Sequence, residues 1–117
     1  MKNKAFNTIK GAFGEQLAFK YVKSKLKFKI LDKNFKCALG EIDIIAKDKS
    51  TIVFIEVKSK TSLAFGSPRE MVTNYKQQKI KQVAQFYLKS HNFLDSMVRF
   101  DVAEVVDKDV EYIFDAF

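Results

Sequence analysis

The sequence has a single cysteine, a single histidine and a single proline, and it has no long apolar run. Because Cys37 has no second cysteine to pair with, an internal disulfide is excluded, which fits the reducing cytosol. Cys37 and His91 are also too few to build a cysteine-based zinc cluster. No segment approaches the ~20 apolar residues of a membrane span, and the basic segment 1–10 lacks the apolar region of a signal peptide. These absences predict a soluble cytoplasmic protein without a membrane partner.

Length and charge indicate the broad class of protein. The 117 residues are close to the usual size of one domain, so we expect a single domain, 1–117, whose residues 1–8 are flexible. The hydrophobic fraction of 47%, with twelve phenylalanines, is enough for a core without metal or disulfide staples. The net charge of +7 favours a polyanionic partner such as nucleic acid, although a basic surface can also serve solubility alone.

The apolar pattern predicts the element order α-β-β-β-α-β-β. Apolar residues at helical spacing over residues 8–26 predict the first helix. A first strand is expected around residues 28–35, with a bend or bulge at 32–34. Further strands are expected over residues 41–47, 51–60, 98–106 and 110–114. The fold class is therefore α/β, a mixed β-sheet flanked by a helix at each side.

The second helix has a start signal in the sequence. Ser67 can cap the helix, Pro68 suits its first turn, and Glu70 completes a capping box. Helical periodicity then continues to Leu88, with a possible break at residues 73–74.

Charged residues interrupt the two strands that form the predicted hairpin, within Gly40-Glu41-Ile42-Asp43 and Glu56-Val57-Lys58. Charges are rarely buried without partners, because desolvating them is costly. A hairpin loop of two residues, or of four, puts Asp43 opposite Glu56 and Glu41 opposite Lys58, on one face. A three-residue loop would send Glu56 to the other face. The site hypothesis therefore requires an even loop.

Two carboxylates and a lysine on rigid strands can support phosphodiester hydrolysis. Mg²⁺ and Mn²⁺ usually take one or two protein carboxylates plus water and phosphate oxygens, and Asp43 and Glu56 supply such a pair. The carbonyl of Val57 is a candidate third ligand. Lys58 can hold the attacking water and stabilise the charge that develops on the phosphate. The alternative is a cross-strand salt bridge on a solvated face, although apolar neighbours on both sides of the charges favour burial.

Several motifs of the chain, in the same order, resemble the YraN family of small bacterial proteins. The resemblance spans about residues 11–105 and rests on Gly14-Glu15 with Ala18, Gly40-Glu41-Ile42-Asp43, Phe54-Ile55-Glu56-Val57-Lys58, Phe65-Gly66-Ser67-Pro68 and Arg99-Phe100-Asp101. That family in turn is similar to the restriction-endonuclease-like fold with its PD-(D/E)xK site, and to archaeal Holliday-junction resolvases. The resemblance implies the fold more firmly than the activity.

The resemblance implies roles for individual residues. Asp43 and Glu56 would bind the metal, and Lys58 would be the catalytic lysine. Glu15 would be an additional acid that reaches the metal directly or through water; without the resemblance it is a solvated helix-surface acid. Glu41 is a possible accessory residue that caps the strand entry, pairs with Lys58 or lies beside the phosphate.

Basic and amide side chains near this site are candidates for binding nucleic acid. They are Lys60, Lys76, Lys79 and Gln77. Lys60 stands where the resembling family usually has arginine, and lysine cannot grip a phosphate bidentately. The other three lie on the second helix, whose alternative role is that of a solvated face.

Two further expectations concern residues outside the acidic motifs. Arg99 and Asp101 are expected to form a structural ion pair rather than a catalytic one. The phenylalanines are expected to be mainly core, although Phe6, Phe13 or Phe65 could stack on an unpaired base.

The sequence and the resemblance together predict a Mg²⁺- or Mn²⁺-dependent endonuclease acting on nucleic acid, with DNA favoured over RNA and structure-specific DNA as a possible substrate. A homodimer is suggested by analogy. Two alternatives stay open: a non-catalytic nucleic-acid-binding module that keeps the nuclease fold, and a partner protein of a DNA-processing complex.

Overall fold

The structure, a computed structural model, describes residues 4–60 and 72–117, with the side chains of the first helix described from residue 12 onward. Two helices and five strands follow each other in the predicted order α-β-β-β-α-β-β. They are α1 (Lys4–Lys20), which continues as a π-helical turn (Tyr21–Lys25), β1 (Lys29–Cys37), β2 (Gly40–Asp48), β3 (Thr51–Lys60), α2 (Asn74–Ser90), β4 (Met97–Val106) and β5 (Asp109–Ile113). No helix in this described part is long and apolar enough to cross a membrane.

The five strands form one mixed sheet in the order β1-β2-β3-β4-β5. Neighbouring strands are antiparallel except β3 and β4, which run parallel. Parallel neighbours need a long crossover connection, and α2 lies in the one that joins β3 to β4. The predicted α/β class is thus confirmed, and the architecture is compatible with a restriction-endonuclease-like core.

The two helices cover opposite faces of the sheet. Side chains alternate along β3, so Ile52 and Phe54 pack in the cluster that contains α2, whereas Val53 and Ile55 pack with α1. All four are essentially fully buried. Coverage of both faces explains the continuous apolar run in β3, since neither face meets water.

The hairpin of β2 and β3 has the even loop that the site hypothesis requires. Asp48 pairs with Thr51, which leaves Lys49 and Ser50 as the turn. Lys49 has a φ of +58°, a left-handed conformation that tight hairpin turns use. The register then continues inward to the pair Ile44 and Ile55.

The described part of α2 begins at Asn74, at the predicted break. Thr73 is its N-cap, and the Thr73 hydroxyl accepts a hydrogen bond from the Lys76 amide at 3.2 Å. The predicted capping residues Ser67, Pro68 and Glu70 lie outside the described residues.

The predicted ion pair between Arg99 and Asp101 is confirmed and is structural. The Asp101 carboxylate is fully buried and accepts hydrogen bonds from Arg99 Nε at 2.9 Å, from the Tyr112 hydroxyl and from the Asp115 amide at 2.8 Å. Arg99 also donates to Asp48 at 3.0 Å. The network therefore joins β4 to the end of β2, to β5 and to the segment that follows β5.

Candidate functional site

Strand β2 changes the face of its side chains at Asp43. Ile42 packs in the cluster of α2 and Ile44 in the cluster of α1, although residues two apart share a face in a regular strand. Asp43 and Asn34 lie between the pairs Lys33–Ile44 and Phe35–Ile42 of the β1–β2 ladder, and Asn34 has a φ of +54°. The predicted bend of β1 at 32–34 is thus confirmed, and it lies beside a distortion of β2 that the sequence did not predict.

The distortion links Asp43 to β3 through its side chain. The ladder between β2 and β3 ends at Ile44 and Ile55, one pair before the predicted pair of Asp43 and Glu56. Asp43 Oδ2 instead accepts a hydrogen bond from the Val57 amide at 2.8 Å. This bond holds the carboxylate against the segment of β3 that carries the other predicted site residues.

The second predicted pair across the hairpin is not formed. Glu41 lies beyond the end of the β2–β3 ladder, so it does not oppose Lys58, and its partner in the sheet is Lys36 on β1. The Glu41 side chain is exposed. Its electrostatic influence nevertheless reaches the site, because its charge helps to raise the pKa values of Asp43 and Glu15.

Glu56 is the most buried acid of the site, with 6% of its surface exposed. Burial, followed by repulsion from Asp43, raises the pKa of Glu56 to about 7. Burial also raises the pKa of Asp43, against the opposing effect of the hydrogen bond from Val57. A hydrogen bond between the two carboxyl groups lowers the pKa of Asp43 and raises that of Glu56. Of the two carboxyl groups, Glu56 is therefore the one whose charged form is disfavoured more strongly near neutral pH.

Two lysines from different elements compensate the charge of Glu56. Glu56 Oε2 lies 3.8 Å from Lys58 Nζ, on the same strand, and 3.6 Å from Lys76 Nζ, on α2. Lys58 and Lys76 keep 28% and 44% of their side chains exposed, so both ammonium groups also meet solvent. The structure thus brings Asp43, Glu56 and Lys58 together, as predicted from the sequence, and adds the contact of Lys76.

Glu15 joins the acidic pair from α1. Burial raises its pKa first, followed by repulsion from Asp43 and Glu41. The preceding residue, Gly14, permits this approach, because a Cβ at that position would overlap Ser59 Oγ on β3. A methyl group at Gly14 would require the Ser59 hydroxyl to rotate away, and a larger side chain would push the helix, and Glu15 with it, away from the sheet.

The remaining predicted nucleic-acid-binding residues make contacts within the protein. Lys60 Nζ forms an ion pair at 3.1 Å with Glu104, which is fully buried on β4. Gln77 Nε2 donates to the Val72 carbonyl at 2.9 Å, and Lys79 Nζ lies 5.8 Å from the centroid of the Tyr75 ring.

Glu104 was not predicted as a site residue, although the sequence pattern around it resembles the one around Glu56. It is an acid inside the apolar strand β4, just as Glu56 is in β3. In the sheet it is the register partner of Lys58.

The donor set fits a hard divalent cation that also binds water or phosphate. Asp43 and Glu56 offer carboxylate oxygens, and burial raises the pKa values of both because it disfavours their charged forms. A cation between them would favour the charged forms and would offset the repulsion that Asp43 exerts on Glu56. Among the described residues, no three acid, histidine or cysteine side chains are grouped to hold a metal by themselves. Mg²⁺ usually needs only one or two protein carboxylates, because water and substrate oxygens complete its coordination.

Comparison with known proteins gives a consistent family match. The model of the Uncharacterised protein family UPF0102 matches residues 14–105. A UPF0102 protein of Caldanaerobacter subterraneus subsp. tengcongensis is 54% identical over 95 residues, which are 81% of this chain and 77% of the relative. One of Clostridioides difficile is 45% identical over 113 residues, 95% and 98% of the two chains. One of Persephonella marina is 42% identical over 112 residues, 96% of each chain. The names of these relatives state family membership and no activity.

Proposed function

The chain belongs to the UPF0102 family, and from the acidic pair on β2 and β3 we propose that it is a metal-dependent nuclease that hydrolyses phosphodiester bonds. One observation carries the proposal: Asp43, held by the Val57 amide, and Glu56 are interacting carboxyl groups at the end of a hairpin ladder, with Lys58 Nζ 3.8 Å from Glu56. A buried pair of like charges is costly for stability, and such sites are commonly retained for function.

The site residues divide the chemical work. Asp43 and Glu56, with the carbonyl of Val57, would hold Mg²⁺ or Mn²⁺; the bound ion would polarise the phosphate and lower the pKa of an attacking water. Lys58 orients that water and stabilises the negative charge that develops on the phosphate. Glu15 would be an additional acid for the same ion, directly or through a water molecule.

Lys76 has a separate role in the proposed reaction. Its ammonium group lies 3.6 Å from Glu56 Oε2 and compensates the carboxylate charge in the protein without metal. A divalent cation would take over that compensation. Lys76 is then available to a phosphate of the substrate, which agrees with its predicted role in binding nucleic acid.

The charge of the chain supports a nucleic-acid substrate, and the resemblance to Holliday-junction resolvases favours DNA over RNA. A net charge of +7 attracts a polyanion by counterion release, and the site itself is acidic. A two-fold dimer would present two active sites to a branched substrate. Sedimentation showing only monomers at micromolar concentration would count against the dimer.

The proposal is tested by cleavage of labelled single-stranded, duplex, flap, four-way-junction and RNA substrates in Mg²⁺, Mn²⁺ or EDTA. Asp43→Asn and Lys58→Met are expected to abolish metal-dependent cutting. Glu111→Gln and Lys89→Met are matched controls, because both side chains are exposed and lie outside the site. Cutting that persists in Asp43→Asn, or that survives EDTA, would reject the mechanism.

One observation favours a second candidate, a nucleic-acid-binding module without catalysis. Lys58 and Lys76 already compensate Glu56 without any metal. Under this alternative the wild type binds the same substrates equally well in EDTA and in Mg²⁺ and cuts none of them. Calorimetric titration with Mn²⁺ then separates the two, since only the nuclease is expected to bind the ion through Asp43.

A further inference from the structure

The start of α2 presents an exposed aromatic side chain, that of Tyr75, next in sequence to the lysine that contacts Glu56. Tyr75 is 73% exposed, more than any other aromatic side chain in the described ranges 12–60 and 72–117. Within these ranges its ring has no aromatic neighbour and its hydroxyl no hydrogen-bond partner. The nearby cation is Lys79, one turn later, whose Nζ lies 5.8 Å from the ring centroid. Packing among the described residues therefore does not account for a large aromatic residue at this position.

The position of Tyr75 relative to the site is fixed at two points. Thr73 caps the helix, and Gln77 bonds back to the Val72 carbonyl, so the first turn is held at both ends. Lys76, the next residue, contacts Glu56 at 3.6 Å. Tyr75 is therefore the nearest neighbour in sequence of a residue that contacts the acidic pair.

An exposed ring flanked by lysines matches one kind of ligand. Nucleobases stack on aromatic side chains without regard to sequence, while lysines bind the phosphates that connect the bases. In an uninterrupted duplex the base faces are covered by neighbouring bases, whereas an unpaired nucleotide offers a free face. The charge agrees, since Lys79 lies near the ring and Lys76 follows Tyr75 in the sequence, in a chain of net charge +7.

We propose that Tyr75 is a stacking platform for an unpaired nucleobase, with Lys79 binding an adjacent phosphate. The inference rests on the proposed function and narrows its substrate to nucleic acid that carries single-stranded nucleotides next to the bond that is cut. Flaps, junctions with unpaired bases and single strands belong to this class, and blunt continuous duplex does not.

The test measures binding rather than cutting, so that its result does not depend on catalysis. Wild type, Tyr75→Phe and Tyr75→Leu are titrated in EDTA against single-stranded DNA, single-stranded RNA and blunt duplex DNA. The single strands carry 2-aminopurine, whose fluorescence falls when it stacks. The chain has no tryptophan, so the probe is excited without protein background. Circular dichroism checks that the variants are folded, which is expected because the side chain is exposed.

Tyr75→Leu is expected to weaken binding to single strands about five- to one-hundredfold and to lose the fluorescence quenching, with duplex binding unchanged. Tyr75→Phe is expected to retain both binding and quenching, because it keeps the ring. Comparison of the binding constants for single-stranded DNA and single-stranded RNA shows whether the platform accepts deoxyribose, ribose or both. Equal weakening on duplex and single strands, or no weakening by Tyr75→Leu, would overturn the inference.

The outcome is separable from that of the cleavage experiment. Quenching that depends on the ring in a protein that cuts nothing supports the platform and rejects the nuclease. Metal-dependent cutting by a protein whose binding ignores Tyr75 rejects the platform alone. A wild type that binds no single strand also overturns the inference.

Discussion

Replacing Glu56 with glutamine is expected to stabilise the metal-free protein above neutral pH. The pKa of Glu56 rises from the ordinary 4.5 to about 7, so the folded state holds a proton that the unfolded state releases. The resulting stabilisation is complete below the unfolded pKa and is lost as the pH rises through the folded pKa. A shift of this size corresponds to about 3 kcal/mol, which Glu56→Gln is expected to recover at pH 8 relative to pH 4.5. Glu56→Gln also loses the ion pairs with Lys58 and Lys76. This loss reduces the expected gain in unfolding free energy only slightly, because both lysines are partly exposed.

The assay is urea unfolding followed by far-ultraviolet circular dichroism in EDTA, at pH values from 4.5 to 8. The quantity of interest is the difference in unfolding free energy between Glu56→Gln and wild type, because other titrating groups largely cancel in it. Glu111→Gln is the control, since Glu111 is exposed and its difference from wild type is expected to stay constant. A constant difference for Glu56→Gln as well would refute the reasoning. Replacing EDTA with saturating Mg²⁺ at pH 8 is expected to stabilise the wild type and Glu111→Gln, but not Glu56→Gln, because only the last lacks a proposed metal ligand.

Three other substitutions test the surroundings of the site. Gly14→Leu forces α1 away from β3, so a loss of about 1–3 kcal/mol in unfolding free energy is expected, together with loss of any metal-dependent cutting; unchanged urea unfolding would show that the close approach is unimportant. Asp101→Asn leaves Arg99 without its buried counter-charge, and a loss of about 3 kcal/mol is expected in the same assay; a loss below about 1 kcal/mol, the usual value for a surface ion pair, would contradict this reading. Lys76→Met is expected to reduce by about one the slope of log binding constant against log salt for duplex DNA, as for one phosphate contact. Lys89→Met is its control and is expected to leave the slope unchanged; equal slopes for the two variants would remove Lys76 from the interface.

The hairpin and its acids were predictable because their signals are local. Alternation within residues 41–60 indicates the strands, and an even loop suffices to predict that Asp43 and Glu56 come together. The charged residues stand out because their neighbours, such as Ile44 and Ile55, are apolar. The same local signal exists for Glu104, because it is an acid among the apolar residues of β4.

The details that depend on distant parts of the chain were not predictable. Asp43 bonds to the Val57 amide because β2 is distorted opposite Asn34, and no local pattern in β2 encodes that distortion. The contact of Lys76 with Glu56 depends on where α2 docks, and α2 lies in the crossover between β3 and β4. The exposure of Tyr75 is likewise a property of that docking, because periodicity alone does not distinguish the flank of a helix from its buried face.

The two-residue turn between β2 and β3 has a consequence for dividing the chain. Lys49 and Ser50 are exposed and lie at the end of the hairpin away from Asp43, about 20 Å along the strand. A chain opened at this turn would carry Asp43 on one fragment and Glu56 on the other, with neither fragment containing a complete acidic pair. Any activity of the mixed fragments would then report their association. The turn is therefore a suitable position for a split reporter.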